Sequence, residues 1–386
     1  MLPASIQQHT APYFARNNPL TLLLRLLFIF WLLAKKIGWR IWLKDRLLPV
    51  APVADLPSWM HYTLLYCSVA LLIALLYKPW HRGLLCSLLI CEVVSCLADQ
   101  NRWQPWEYQY LFTLLTCLIF YRKKENIIPA LACIAICIYL YSGLGKLNEG
   151  YLQLFWSNMF LKNYLHLSQA AISHKLLYYS GYATALIEVT AALMLLYKRT
   201  QRSGAMLLIL MHFFILVVLG PFGLRYNKII WPWNVLMMVQ LYILFIQSGP
   251  VPFNLERLFT GWGKIVLLCW GILPALNYAG LWDSYLSSKL YAGNLPQMVL
   301  CIETGEELNQ LKRFTNKTYK YNICNGLAMV NLQTWAMKET NVPPYPEIRV
   351  YRQMSRRWKQ QHPGTTTRIF IYYPARGNTI RVLPEL

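Results

Sequence analysis

The apolar residues of this chain come in blocks separated by short basic or aromatic links. They follow neither the alternation of a strand nor the single stripe of a surface helix. A membrane-crossing helix needs about 20 predominantly apolar residues, fewer with polar flanks. By that measure the pattern predicts spans over 20–34, 61–77, 83–98, 106–121, 127–144, 177–197, 204–220, 228–247 and 262–280. The first is short and contains Arg25, so crossing and lying at the interface are both open for it, and the count is eight or nine. After it, KKIGWRIWLKDRLLP mixes aromatic, aliphatic and basic residues in the manner of an amphipathic helix in the headgroup region. YLQLFWSNMFLKNYLHL, beyond Lys146, reads as a second interfacial piece. Trp80, Trp103, Trp106, Trp231 and Trp233 fall at span ends, where aromatic belts form.

From about Leu281 the apolar blocks stop. MVLCIE, YKYNIC and TRIFIYY are short, partly alternating runs that predict strands. TWAMKETNVPPYPEIRVYRQMSRRWKQQ predicts a helix, a proline turn and a second basic helix ending near His362-Pro363-Gly364. The expected fold is an all-α polytopic membrane bundle of 8–9 transmembrane helices with a small C-terminal α+β extramembrane domain. Its divisions are an N-terminal membrane segment with an interfacial helix (1–60), the bundle (61–280) and a basic tail domain (281–386).

Composition agrees with a membrane location. The chain is 56% hydrophobic and only 14% charged, too little charge to cover a soluble protein of 386 residues. The formal net charge of +21 lies in the links and the tail, and no nucleic-acid-binding motif accompanies it. Basic links orient helices and touch anionic headgroups, so membrane lipids and not nucleic acid are the expected partners. YKPWHRG, FYRKKEN and YKRTQR share one side by alternation and mark it as cytoplasmic. That places Lys146 and the tail, with its 14 basic and seven acidic residues, on the outer side. The expected location is therefore multi-pass in a bacterial inner membrane, with the tail extracytoplasmic. The first apolar run has no small-residue cleavage site behind it and reads as retained.

Most of the ten cysteines lie inside apolar segments, where they act as small buried residues. No CxxC pair or Cys/His cluster appears, so no metal is expected. Cys301 and Cys324, in the polar tail, are positioned to pair if the tail is extracytoplasmic. The chain also has no P-loop, GxSxG or zinc signature.

Three apolar segments each carry one ionisable residue: Lys146 in YSGLGKLN, Glu188 in GYATALIEVTAALMLLY and His212 in GAMLLILMHFFILVVLG. A charge at bilayer depth costs about 2.5–3.5 kcal/mol on insertion scales, so such groups face a partner or a wet cavity. Lys146 reads either as a lysine snorkelling to the interface or as a partly desolvated general base. Gly143 and Gly145 let another backbone approach closely or let the helix end, and Tyr141 and Asn148 flank the lysine. Glu188 and His212 read either as helix-joining hydrogen bonders or as acid and imidazole beside that base. In LADQNRWQPWEYQY, Asp99 and Arg102 are one helical turn apart, close enough to pair, and Pro105 can start the next helix. With Trp106 this stretch is either a surface hairpin or a mouth that orients a headgroup or quinone ring. In GPFGLRYNKIIWPWN, Arg225, Asn227 and Asn234 offer donors for an anionic headgroup or carboxylate, and a plain loop is equally open.

These residues carry a resemblance. Over roughly 60–280, and best over 139–220, the chain resembles the HTTM membrane domain shared with the vitamin K-dependent gamma-glutamyl carboxylases. YLYSGLGKLN resembles the carboxylase segment in which a lysine follows Ala-Gly-X-Lys and precedes Leu-Asp. The resemblance implies that Lys146 takes the place of the base that deprotonates the vitamin K hydroquinone. ALIEVTAALML and MHFFILVVLG resemble family spans with an intramembrane acid at Glu188 and an intramembrane histidine at His212. More distantly the layout is similar to the DoxX and MauE quinone-associated membrane proteins. The tail is much shorter than the carboxylase C-terminal region, and Gly145 stands where the carboxylase has a second lysine. The carboxylase's histidine-rich stretch upstream of the lysine has no counterpart that can be placed here. What carries over is the bundle and a quinone-sized pocket. Two expectations follow: an enzyme binding a quinone or hydroquinone with Lys146 as base and the tail presenting a protein or peptide substrate, or a non-enzymatic lipid-binding or assembly subunit.

Overall fold

A computed structural model describes residues 18–249, 251, 261, 263–303, 306–315, 324, 325, 327–363, 367–373 and 379–382. The first helix, α1 (Pro19–Ile37), starts at Asn18, whose side chain accepts the Leu20 N–H, with Pro19 in the first turn where its missing donor costs nothing. Leu20, Leu24, Phe28 and Trp31 of α1 are buried, so this helix packs inside the bundle and is not an outlying interfacial segment. Helices α2 (Ser58–Tyr77), α3 (Arg82–Ala98), α4 (Pro105–Ile119) and α5 (Ile127–Gly145) follow. Pro105 does open α4, as its position predicts.

Two expected elements differ. The stretch after α1 contains only a 3-10 turn, Trp39–Trp42, before running irregularly to Pro57. Gly38 caps α1, and the Arg46 guanidinium gathers the carbonyls of Ile41 (2.6 Å), Leu43 (2.8 Å) and Leu48 (3.1 Å). Those carbonyls are therefore turned inward to a side chain, and no interfacial helix forms. The predicted span 177–197 is likewise broken, into α8 (Lys175–Tyr179) and α9 (Gly181–Met194), after the short α6 (Glu149–Tyr151) and α7 (Gln169–Ile172). Between α6 and α7 the aromatic segment forms a π-helix, Leu152–Tyr164. Helices α10 (Gln201–Leu219) and α11 (Ile230–Tyr242) come next, the latter running on as a π-helix through Gln247.

Among the described residues four helical runs are long and apolar enough to cross a membrane: Ser58–Tyr77, Lys124–Gly145, Gln201–Leu219 and Ile230–Gln247. Gly263–Ala279 is a shorter apolar run. The links YKPWHRG and FYRKKEN meet, since the Tyr121 hydroxyl donates to the Trp80 carbonyl at 2.8 Å.

The tail holds an antiparallel sheet in the order β2-β1-β3-β4, formed by β1 (Gln297–Ile302), β2 (Ala328–Asn331), β3 (Thr367–Tyr373) and β4 (Thr379–Val382). In β1, Val299 pairs with both Asn331 and Phe370. The expected strand YKYNIC lies outside the described residues except for Cys324, which is disulfide-bonded to Cys301. The two expected helices are Leu332–Thr340 and Ile348–Gln361, separated by Pro343, Pro344 and Pro346; the end expected near Gly364 falls partly outside the described residues.

The tail is bolted to one end of the bundle. The Glu339 carboxylate accepts the N–H groups of Leu47 (2.8 Å) and Leu48 (2.9 Å) and the Trp335 indole N–H (2.8 Å). Asn341 donates to the Ile37 carbonyl at 3.0 Å, and Gln104 donates to that of Pro343 at 3.0 Å. An orphaned buried donor costs about 1–3 kcal/mol, so Glu339→Ala is expected to lower stability by about 2–4 kcal/mol. Thermal unfolding in detergent checks this; an unchanged midpoint would mean that the seam does not hold the tail.

Candidate functional site

The helices α5 and α9 approach closely at Gly143. A Cβ there would meet Val189 Cγ2 at 2.7 Å and the Ala185 carbonyl oxygen at 3.0 Å, so only glycine permits the contact. One turn further on, α5 ends and Lys146 turns its ammonium to the Glu188 carboxylate, with Ser142 Oγ at 3.2 Å as a second acceptor. Glu188 is buried and Lys146 half-buried.

This ion pair borders a cavity of about 620 Å³. One wall is the π-helix, through Phe155, Trp156, Met159 and Phe160; another is α10, through Leu207, Leu210, Phe213 and Phe214. Gly181 lets α9 begin directly against the Trp156 ring, where a Cβ would sit 2.5 Å away. Apart from the ion pair, the polar lining groups are Tyr151, Thr184 and Tyr291. Tyr151 and Thr184 share a hydroxyl hydrogen bond at 2.7 Å. Leu210 and Phe213 are more than half exposed, which leaves the α10 flank of the cavity open. A site of this build takes an elongated apolar molecule with a small polar end.

Of the expected site residues, Lys146 and Glu188 meet, while Tyr141 and Asn148 bond to backbone groups of neighbouring segments. The Tyr141 hydroxyl donates to the Gly271 carbonyl. Asn148 donates to the carbonyls of Gly145 (2.7 Å) and Ala292 (2.8 Å) and accepts the Tyr151 N–H. His212 does not line the cavity. Its Nδ1 faces Asn234 Oδ1 and its Nε2 faces the Tyr139 hydroxyl, both at 2.7 Å. Because the Asn234 amide nitrogen donates to the Ile230 carbonyl (2.8 Å), its oxygen is the acceptor, which makes His212 the Nδ1–H tautomer receiving the tyrosine proton at Nε2. Both ring nitrogens are thus spent joining α10 to α5 and α11.

Asp99, Arg102 and Trp106 lie elsewhere, between the bundle and the tail. Asp99 and Arg102 do not hydrogen-bond to each other: Asp99 pairs with Arg46 and accepts the Ala51 N–H at 3.0 Å. Arg102 places five bonds, to the carbonyls of Ile41, Trp42 and Ser95, to Ser95 Oγ and to His61 Nδ1. Burial pulls the Arg102 guanidinium down to about 10, still charged at neutral pH. Burial works to raise the Asp99 carboxyl, but Arg46 and Arg102 outweigh it and hold it below the usual range. Trp106 is buried against Trp233, and Arg225 is exposed, donating to the Pro221 carbonyl.

Several buried polar groups were not singled out from the sequence. Lys35 pairs with Glu92 at 2.9 Å, and the Trp31 indole donates to Glu107 at 2.9 Å. Glu92 sits in the apolar run LLICEVVSC, so the rule that marks Glu188 marks it too. Tyr139 gave no such signal, since a tyrosine in an apolar helix is unremarkable by pattern alone. Comparison with known proteins finds no matching family model, no similar curated protein and no similar solved structure.

Arg102→Ala would leave its acceptors buried without a donor, and is expected to cost about 3–5 kcal/mol of stability. Unfolding in detergent measures it; a change under 1 kcal/mol would return Arg102 to the list of ligand-binding candidates. Lys289 packs its stem on Gly145, and burial lowers its ammonium to about 8. A lysine whose folded value is depressed gains stability as pH rises from that value toward its unfolded one. The stability of wild type relative to Lys289→Met is therefore expected to rise between pH 8 and about pH 10.4. Melting curves across that range check it, and a flat difference would refute it.

Proposed function

We propose that this is a multi-pass membrane protein that binds a quinone, a hydroquinone or a similar isoprenoid in the cavity beside Lys146. The observation that carries this reading is an apolar cavity whose two charged lining groups, among the described residues, form a single ion pair. Aliphatic and aromatic walls suit an apolar tail, and a donor beside an acceptor suits the oxygens of a ring. A hydroquinone, when bound, supplies ionisable ring hydroxyls and a reversible two-electron couple. Lys146 would be the group to take a proton from a ring hydroxyl, once its own had passed to Glu188 within the pair. Glu188 holds the first proton, while Ser142 fixes the amine and Tyr151 and Thr184 extend the polar end. His212 acts at one remove, by setting α10 against α5.

The same reading takes the bundle as eight or nine spans of a domain that resembles the HTTM family. It places the tail on the extracytoplasmic side of a bacterial inner membrane, where the Cys301–Cys324 bond would persist. There the tail would present a protein or peptide substrate. A second reading, a non-enzymatic lipid-binding or assembly subunit, draws on the fully satisfied bonds of His212 and Arg102, which serve as glue between segments.

Native mass spectrometry and organic extraction of the detergent-purified protein separate the two. The expected result is a quinone-type compound with wild type, retained about tenfold less by Lys146→Met and Glu188→Gln, as the loss of a charged hydrogen bond requires. Bulk phospholipid alone in wild type would overturn the quinone reading and favour the second.

A further inference from the structure

A separate cleft lies where the tail meets the ends of α1 and α2. It has a volume of about 500 Å³ and is lined by Trp39, Arg40, Tyr62 and Arg313 together with Asp45, Arg46 and Glu339. Three of these charged groups have polar partners, which orient the two carboxylates without neutralising them. Asp45, itself exposed, accepts the Ser58 hydroxyl at 2.9 Å, Glu339 accepts two backbone N–H groups and an indole, and Arg46 is bonded to Asp99 and four carbonyls. Arg40 and Arg313 are exposed and form no ion pair among the described residues; each stacks on the neighbouring aromatic ring, Trp39 or Phe314. A second hollow continues past Arg313 to Lys312. The lining of the cleft thus sets three guanidinium groups against two carboxylates, a formal balance of +1, to which Lys312 adds at the neighbouring hollow.

Its position supplies the other half of the argument. Trp39 follows the last turn of α1 and Trp59 stands in the first turn of α2, exposed to 49% and 66% respectively. Exposed tryptophans at the ends of apolar helices mark the headgroup level of a bilayer. Guanidinium groups at that level match the geometry of a phosphate, and aromatic rings beside them match the glycerol region.

We infer that the cleft between Arg40 and Arg313 binds the phosphate of an anionic glycerophospholipid, seating the tail on the membrane surface. The inference rests on the membrane placement proposed above but not on the quinone. Each basic residue near an anionic surface adds roughly fivefold to affinity, so two arginines give a preference of about tenfold or more for phosphatidylglycerol over phosphatidylcholine.

The test uses the full chain, purified in detergent, with phosphatidylglycerol or phosphatidylcholine added and bound lipid counted by native mass spectrometry. Wild type is expected to prefer phosphatidylglycerol about tenfold, and the Arg40→Gln/Arg313→Gln double variant to lose that preference while melting as wild type does in phosphatidylcholine. An equal preference in the double variant overturns the site. So does inorganic phosphate at millimolar concentration displacing the lipid, which would make the cleft a site for free anions. Retention of the protein in carbonate-washed membranes is measured alongside, so that failure of the membrane placement is distinguished from failure of the cleft.

Discussion

The contact at Gly143 sets the geometry on which the candidate site depends. Two helices that meet with no side chain between them can bring their backbones together, and α5 and α9 do so there. From that point one turn of α5 carries Lys146 to the level of Glu188. A larger residue at Gly143 would spread the helices, separating the ion pair and changing the cavity beside it. The pair and the cavity are thus two results of one packing choice, reinforced by Gly181, where α9 starts against the Trp156 ring.

Polar groups inside the molecule divide into two kinds. Asp99 and His212 have their hydrogen-bonding capacity turned inward, as Arg102 does, and hold segments together. In a medium without water an unpaired polar group costs several kcal/mol, so satisfied groups of this kind determine which segments lie side by side. Lys146 and Glu188 differ in bordering open volume. A close partner and an accessible face together make a charged group available to a ligand, whereas burial alone does not.

Much of the helical layout was legible in the sequence, because apolar blocks and their breaks are strong signals. Pro105 opened α4, and the lysine after Gly145 ended α5. The segment after α1 was misread because its alternation of aromatic and basic residues does not reveal that Arg46 collects the local carbonyls. Of the site, the approach of Lys146 to Glu188 was foreshadowed by lone charges in apolar runs. The separation of His212 from the cavity was not, since periodicity gives the depth of a residue but not the side of the helix its neighbours occupy. Asp99 and Arg102 show the same limit: one turn apart in sequence, each found its partners in the segment after α1, about 50–60 residues earlier.

The seam between tail and bundle joins the two ends of the chain. Glu339 reaches back 291 and 292 residues to Leu48 and Leu47, and Asn341 reaches back 304 to Ile37. Contacts of such separation form late, because every intervening segment must be in place first. During synthesis the carbonyl of Ile37 and the amides of Leu47 and Leu48 therefore wait, unpaired by the tail, until the helix Leu332–Thr340 and Asn341 have emerged. Docking of the tail is the step that closes them off, and in this sense it marks the completion of the molecule: a chain that stops short or threads a segment wrongly has nothing with which to cover its own first link.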